Sequence, residues 1–135
     1  MSYKGKVYRA SFFKDNLLKQ IKIEKKMINA ALWSYSKDEN VVKKFKKSYN
    51  KNVIIHLNLD GYFNVDIHEE KLSKYPKEKE VLILPFYTFE VKFIDKIKDK
   101  KIGECYKIEL EILNNKNILE FVKEVNYRFD DDISI

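Results

Sequence analysis

The sequence has little of what common cofactor and metal motifs require. Its three glycines, at positions 5, 61 and 103, are too scattered to form a phosphate-binding loop or a Rossmann motif. A single cysteine, Cys105, excludes an internal disulfide, and the spacing of His56 and His68 does not match that of a zinc site. We therefore expect neither a hydride-transferring dehydrogenase nor a metal site.

Long apolar runs are also missing. The first residues, MSYKGKVYR, lack the apolar centre of a secretory signal peptide, and no run is long enough to cross a bilayer. We therefore expect no membrane partner, and a protein that is either cytoplasmic or secreted by a non-classical route as an effector. The oligomeric state is left open.

Positive charge is present throughout. The 27 lysines and arginines exceed the 21 acidic residues and give a net charge of +6, which allows an anionic partner. Because the lysines occur in nearly every segment, a generally basic surface explains them better than a dedicated nucleic-acid face. Arginine is rare and occurs at Arg9 and Arg128. Arginine in a lysine-rich chain suggests bidentate recognition of an anion such as phosphate, with an ordinary surface cation as the alternative.

The length of 135 residues and the hydrophobic content of 44% predict a single folded domain. Asp15 and Asp38 are candidate caps of two short helices, and residues 117–129 carry apolar residues at helical spacing. Alternating or continuous apolar runs predict strands over residues 6–12, 27–36 (ending at an open edge), 52–60, 80–86, 88–94 and 105–113. This order predicts an α+β domain built on an antiparallel sheet.

Two pairs of polar residues stand at strand ends. Glu78 and Glu80 open one predicted strand, where a spacing of two would place both carboxylates on one face. The same spacing recurs at Glu109 and Glu111, where the alternation predicts an ordinary solvated strand face. Ser34 and Ser36 end an earlier strand, and their hydroxyls either orient a carboxylate or a ribose or are simply strand-end serines.

Taken in order, the strand arginine, Ser-x-Ser and Glu-x-Glu resemble the mono-ADP-ribosyltransferases of the Arg-Ser-Glu class, a family of bacterial toxins and animal ecto-enzymes. VYRAS (7–11) is similar to the family's Tyr-Arg-Gly strand, and AALWSYSKDENVVKKF (30–45) is similar to its Ser-Thr-Ser segment and the helix that follows. VDIHEEKLSKYPKEKEVLILPFYTFEV (65–91) resembles its turn, Glu-x-Glu and Pro-Phe-x-x-Phe-Glu-Val strands.

The resemblance implies a fold and a reaction. The fold would be an ADP-ribosyltransferase-like split antiparallel β-sandwich with a few short helices. Residues 1–135 would form one catalytic domain without the leading helices of many relatives. The reaction would cleave the bond between nicotinamide and ribose in NAD+ and transfer ADP-ribose to a protein with an exposed arginine. NAD+ would be the substrate, and no metal would be needed.

The resemblance also assigns the central roles. Glu80 would stabilise the positive charge that develops on the ribose when nicotinamide leaves, and it would also bind the ribose hydroxyls of NAD+. Ser34 would orient Glu80 and the nicotinamide ribose. Glu78 would determine the acceptor, because a carboxylate can dock an arginine and help to remove its proton during attack.

Four further residues complete the predicted site. Arg9 would hold NAD+ through its phosphate or ribose groups, and Ser36 would also contact it. Phe45 would either stack on nicotinamide or belong to the core face of its helix. Tyr75 would either face the acceptor or be an ordinary turn residue.

Three departures from the family pattern keep alternatives open. Ala10 replaces a glycine, Tyr35 replaces the central threonine, and Lys46-Lys47-Ser48 stands where relatives often supply an arginine for the NAD+ phosphates. Ala10, Tyr35 and the missing leading helices favour a catalytically inactive binding module, whereas the intact Arg9, Ser34, Glu78 and Glu80 count against it. Nucleic acid as the acceptor is a further alternative, weakened because relatives that modify bases tend to carry glutamine in place of Glu78.

Overall fold

The computed structural model describes residues 2–29, 31–61, 64–68, 76–85, 87–100, 103–113 and 127–129. These residues confirm the predicted α+β class, with strands in both halves of the chain. In chain order the elements are β1 (Lys4–Ser11), α1 (Asp15–Gln20), β2 (Lys26–Asn29), β3 (Trp33–Ser36), α2 (Glu39–Ser48), β4 (Val53–Asp60), β5 (Asn64–Val65), a 3-10 turn (Pro76–Glu78), β6 (Glu80–Ile83), β7 (Thr88–Asp99), β8 (Gly103–Ile112) and β9 (Tyr127–Phe129).

The strands form one hydrogen-bonded sheet in the order β5-β6-β3-β1-β4-β8-β7-β2-β9. Pairing is mainly antiparallel, as expected, but β4 pairs with β8 and β2 with β9 in parallel. Strands β3 and β7 are four positions apart, which would separate them by about 19 Å in a flat sheet. The rings of Trp33 in β3 and Phe89 in β7 nevertheless stack with centroids 5.3 Å apart. The two ends of the sheet therefore fold over each other as a sandwich.

The core fills the space between the two halves of this folded sheet. Strand β4 alternates across it, since Val53, Ile55 and Leu57 face the sandwich interior and Ile54 faces helix α2. Burial on both faces explains why β4 reads as a nearly continuous apolar run. Other fully buried members of the core come from most of the remaining strands, including Val7, Met27, Tyr35, Val81, Ile83, Phe89, Val91 and Ile108.

The single strand expected over residues 27–36 is wrong, because the structure has two. Strand β2 pairs with β7, whereas β3 lies between β1 and β6 and is not an edge strand. The buried amide of Asn29 stabilises the break. It donates to the carbonyl oxygens of Ala31 at 3.0 Å and Leu84 at 2.8 Å, and it accepts from the Tyr87 N–H at 2.9 Å. Contacts with a loop distant in the sequence thus divide the apolar run of residues 27–36. Local periodicity gives no sign of these contacts.

The helix predictions have mixed outcomes. Asp38 caps α2 as expected, accepting from the Asn40 N–H at 2.9 Å. Asp15 is the first residue of α1 and not its cap, which is Lys14. The helical prediction over 117–129 is wrong at its end, because Tyr127–Phe129 pairs with β2 as a strand, and residues 114–126 lie outside the described chain. Within the described residues, no helix is long and apolar enough to cross a membrane.

Candidate active site

The candidate site lies where the folded sheet opens. Strand β1 pairs with β4 over its full length, but in the described chain Tyr8 and Ser36 form the one residue pair that joins β1 to β3. Beyond this pair the two strands separate, and a cavity of 430 Å³ lies at the opening, bordered also by α2 and the 3-10 turn. Its lining includes the predicted residues Arg9, Ser34, Ser36, Phe45, Glu78 and Glu80.

Glu80 is held by its neighbour across the sheet. It is the first residue of β6 and pairs in register with Ser36 of β3. Its half-buried carboxylate accepts a hydrogen bond at Oε2 from the Ser34 hydroxyl. A hydrogen bond to an ionised group is short and strong, so it restricts the rotamers of both side chains. The structure therefore presents an oriented carboxylate on the cavity wall.

Arg9 spans the gap between the separating strands. Its Nη1 donates to the Ser34 carbonyl oxygen at 3.0 Å, and its Nε donates to Ser11 Oγ at 3.1 Å. The guanidinium carbon also lies 5.7 Å from the centre of the Trp33 ring. Ser34 thus joins a cation to an anion, with its carbonyl bound to Arg9 and its hydroxyl bound to Glu80.

Glu78 and Glu80 do not share a strand face, so that expectation is wrong. Glu78 ends the 3-10 turn, Lys79 has a left-handed backbone with φ of 48°, and the strand begins at Glu80. Such a conformation costs a residue with a side chain roughly 1–2 kcal/mol, so surrounding contacts must maintain it. The turn, and not strand alternation, brings both glutamates to the same cavity.

Ser36 supplies one of those contacts. Its Oγ donates to the Glu78 carbonyl oxygen at 2.5 Å and accepts from the Asp38 N–H at 3.0 Å. Because a hydroxyl has a single proton, its donor is committed to the turn that carries Glu78. The residue lines the cavity, and the prediction that it contacts the cofactor stays a prediction.

An aromatic pair at the C-terminal end of α2 forms another side of the cavity. Phe45 is 45% exposed, so of its two predicted roles the structure excludes the helix-core role. Its ring lies 4.5 Å, centre to centre, from that of Tyr49, which is 65% exposed and also lines the cavity. The sequence reasoning missed Tyr49, although its position one helical turn after Phe45 is a signal that could have found it.

Among the described residues, the lysine that lines the cavity is not one of those that the sequence indicated. Lys44 lines the cavity, whereas Lys46 is buried on the opposite side of α2, where its charge acts on Cys105. Burial raises the pKa of the Cys105 thiol. Helical geometry explains the difference, because residues 44 and 45 share a face with residue 48 and not with residue 46.

Ala10 and Tyr35, the two positions that depart from the family motifs, leave Ser34 and Ser36 in place. Tyr35 is 2% exposed and points into the sandwich core, on the strand face opposite Ser34 and Ser36, where burial raises the pKa of its phenol. The Ala10 methyl packs with Val42 beneath α2. Neither side chain disturbs the contacts of Ser34 with its partners.

Two further predictions about the site concern Tyr75 and metal binding. Tyr75, the predicted acceptor contact, lies outside the described residues. Within the described part of the chain, no group of three or more histidine, cysteine, aspartate or glutamate side chains could hold a metal ion.

Comparison with known proteins places the fold. No protein-family model and no curated protein sequence matches the chain. The Vis toxin of Vibrio splendidus, an ADP-ribosyltransferase, is 22% identical with a TM-score of 0.68, over 93% of this chain and 54% of its own. A structure of ADP-ribosyltransferase Vis with agmatine is 23% identical with a TM-score of 0.65, over 87% and 53%.

ADP-ribosyltransferase HopU1 of Pseudomonas syringae pv. Tomato DC3000 is 16% identical with a TM-score of 0.66, over 83% of this chain and 46% of its own. The chain therefore spans about half the length of these solved structures. These similarities confirm the fold that the sequence motifs indicated, and the described chain has the ADP-ribosyltransferase fold.

Proposed function

We propose that the protein is an NAD+-dependent mono-ADP-ribosyltransferase that modifies an arginine of another protein. The observation that carries the proposal is the convergence of Arg9, Ser34, Glu78 and Glu80 on one cavity, with Glu80 oriented by Ser34. The fold of the chain supports the same reaction class.

The first step breaks the bond between nicotinamide and ribose. The bonding electron pair leaves with nicotinamide, and the ribose carbon acquires oxocarbenium-like positive charge. The Glu80 carboxylate stabilises this charge without reorganising, because Ser34 already fixes its orientation. At about 4 Å and an effective dielectric constant of about 20, the interaction is worth ~4 kcal/mol. That corresponds to roughly a thousandfold in rate.

Other residues of the cavity suit the rest of NAD+. Arg9 and Lys44 place positive charge at the cavity, as a diphosphate requires, and the exposed ring of Phe45 offers a stacking surface for nicotinamide. The cavity volume of 430 Å³ lies in the usual range for small-molecule sites. Ser36 would act on the substrate indirectly, by holding the backbone of Glu78.

The second step joins ADP-ribose to the acceptor. A guanidinium is a poor nucleophile while it is fully protonated. Glu78 is exposed at the mouth of the cavity and would dock the guanidinium and take its proton as a nitrogen attacks the ribose carbon. Agmatine, which the Vis structure contains, carries a guanidinium group, and this supports an arginine acceptor.

The inactive-module alternative depended on Ala10 and Tyr35. Both residues border the cavity, but the Tyr35 side chain is buried in the core and the Ala10 methyl packs with Val42. The contacts that join Arg9, Ser34 and Glu80 are formed beside them, which supports an active enzyme. The similarity to a toxin supports a role as a toxin or effector. We also propose that residues 1–135 form a single catalytic domain.

Labelled NAD+ tests the proposal directly. The protein is incubated with adenine-labelled NAD+, with and without agmatine, and the products are separated. We expect nicotinamide release in both samples and labelled ADP-ribosyl-agmatine in the second. No nicotinamide release at millimolar NAD+, together with no heat of binding in calorimetry, would contradict the proposal. Label found on added nucleic acid and not on agmatine would contradict the arginine acceptor.

A further inference from the structure

A largely buried ion pair lies next to the cavity without lining it. The Nζ of Lys37, the residue after β3, lies 2.8 Å from Oδ2 of Asp66, and these side chains are 15% and 4% exposed. The same Nζ lies 3.3 Å from Nδ1 of His68 and 4.6 Å from the centre of the Tyr3 ring. A buried charge requires such partners. The lining of the cavity includes neither Lys37 nor Asp66, so contact with a bound molecule does not explain the pair.

The pair connects the two segments that hold the backbone of Glu80. On one side, Ser36 pairs in register with Glu80, and the Lys37 N–H donates to the Lys79 carbonyl oxygen at 3.0 Å. On the other side, the His68 N–H donates to the Glu80 carbonyl oxygen at 3.1 Å. The ion pair joins these sides, because Lys37 belongs to the first segment and Asp66 to the second.

We propose that Lys37 and Asp66 are a positioning pair that fixes the turn and strand start carrying Glu78 and Glu80. The proposal rests on the proposed function, since it concerns the placement of those two glutamates. Strand β5, which precedes Asp66, has two residues, so sheet pairing alone gives this segment little support. The Asn64 side chain also holds β5 through hydrogen bonds with the Tyr3 backbone. The ion pair adds a restraint closer to the site, and through the His68 N–H it acts on residue 80 itself.

Stability alone accounts poorly for such a pair. Apolar residues of similar size often replace a buried ion pair with no loss of stability, whereas removal of one partner leaves an uncompensated charge and destabilises the fold. A lysine and a carboxylate nevertheless specify one geometry, in which the ammonium also reaches His68. We therefore expect the pair to matter for geometry even where its contribution to the folding free energy is small.

The test compares Lys37→Met, Asp66→Leu and the double variant. Each single variant should lower Tm, and the double variant should recover most of that loss, because no unpaired buried charge remains. The kcat for NAD+ hydrolysis by the double variant should nevertheless stay roughly tenfold or more below wild type, since small misplacements of catalytic groups are costly. The Kd for NAD+ should change less than kcat, because neither side chain lines the cavity. Recovery of kcat together with Tm would overturn the proposal.

Amide hydrogen exchange gives a readout that needs no catalysis. Exchange of the His68 amide, which bonds Glu80, should be faster in the double variant and in the isosteric Asp66→Asn variant than in wild type. Lys43→Met, which removes a pair with Asp99 at 3.6 Å on the other side of α2, is the matched control and should leave this exchange unchanged. Unchanged exchange in Asp66→Asn would overturn the positioning role. If wild type releases no nicotinamide, the proposed function fails while the exchange data still decide the role of the pair.

Discussion

Glu78-Lys79-Glu80 and Glu109-Leu110-Glu111 have the same spacing in the sequence and different surroundings in the structure. In β8 the alternation is regular, because Leu110 is 4% exposed in the core and the Glu111 side chain is 59% exposed, with an oxygen 3.9 Å from Lys92 Nζ. Glu111 thus lies on the solvated strand face that the sequence predicted, whereas Glu109 is partly buried between β4 and β7. Glu80 is also partly buried, but it lies on a cavity wall and is bonded by Ser34.

The difference shows that spacing alone does not make a site. Neighbouring strand β3 contributes the Ser34 hydroxyl to Glu80 and the Ser36 hydroxyl to the backbone of Glu78. The second pair faces side chains of β4 and β7, with Glu109 in register with His56 and Phe93, and lies outside the cavity. Long-range contacts from one strand therefore distinguish the two motifs.

The largest expected effect is a difference in the rate of nicotinamide release between substitutions in the two glutamate pairs. Glu80→Gln should lower nicotinamide release from saturating NAD+ roughly a thousandfold, because it removes a charge interaction of about 4 kcal/mol in the transition state. Glu111→Gln, the same change in the second pair, should leave the initial rate unchanged. Equal effects of the two substitutions would show that the surroundings of Glu80 have no catalytic consequence.

The second prediction separates the two glutamates of the cavity. Glu78→Gln should lower ADP-ribose transfer to agmatine by about a hundredfold or more, as loss of a general base does. NAD+ hydrolysis should continue at the wild-type rate, because Glu78 acts on the acceptor. Glu109→Gln is the control, and both of its rates should match wild type. A parallel fall of hydrolysis and transfer in Glu78→Gln would refute the division of roles.

A smaller effect is expected from the hydroxyl that orients Glu80. Ser34→Ala removes a hydrogen bond to a charged group, worth about 1.5–3 kcal/mol. It should lower kcat for nicotinamide release roughly 10- to 100-fold. Ser2→Ala, which removes a hydroxyl bonded to the Gly61 carbonyl away from the cavity, should not change kcat. An unaltered kcat in Ser34→Ala would mean that β6 alone orients the carboxylate.

The smallest expected effect is on folding stability and comes from His56, which is in register with Glu109. Burial, followed by the charge of Lys107, lowers the pKa of His56 in the folded protein. The unfolded state therefore takes up this proton first, and the free energy of unfolding should decrease as the pH falls from about 6.5 towards the lower folded-state pKa. Denaturant unfolding at several pH values measures this decrease, and His56→Gln should reduce it. A decrease of the same size in His56→Gln would assign it to other groups.

Local sequence patterns predicted the elements that have regular apolar spacing or a capping residue. Helix α2, with its Asp38 cap, and strand β4 appear where the apolar spacing and the capping residue placed them. The residues that converge on the cavity were predicted from the resemblance of three ordered motifs to the mono-ADP-ribosyltransferases, since no single motif was specific. In α2 and β4, sequence neighbours are sufficient to predict the element.

Most features that the sequence did not predict depend on contacts between residues that are distant in the sequence. The break between β2 and β3 is maintained by the Asn29 amide bonded to a loop more than fifty positions away, and no local periodicity records it. The left-handed Lys79 between Glu78 and Glu80 depends on β3 in the same way. Lys44 was missed for a different reason, because helical geometry could have placed it on the face of Phe45.

A crystal structure of the Glu80→Gln variant with NAD+ is the most direct test of the central claim. With hydrolysis slowed, we expect intact NAD+ in the 430 Å³ cavity, with the nicotinamide ribose between the side chains of residues 80 and 34 and with Arg9 on a phosphate or ribose. NAD+ bound elsewhere, or a cavity that stays empty in crystals soaked at millimolar NAD+, would contradict the account.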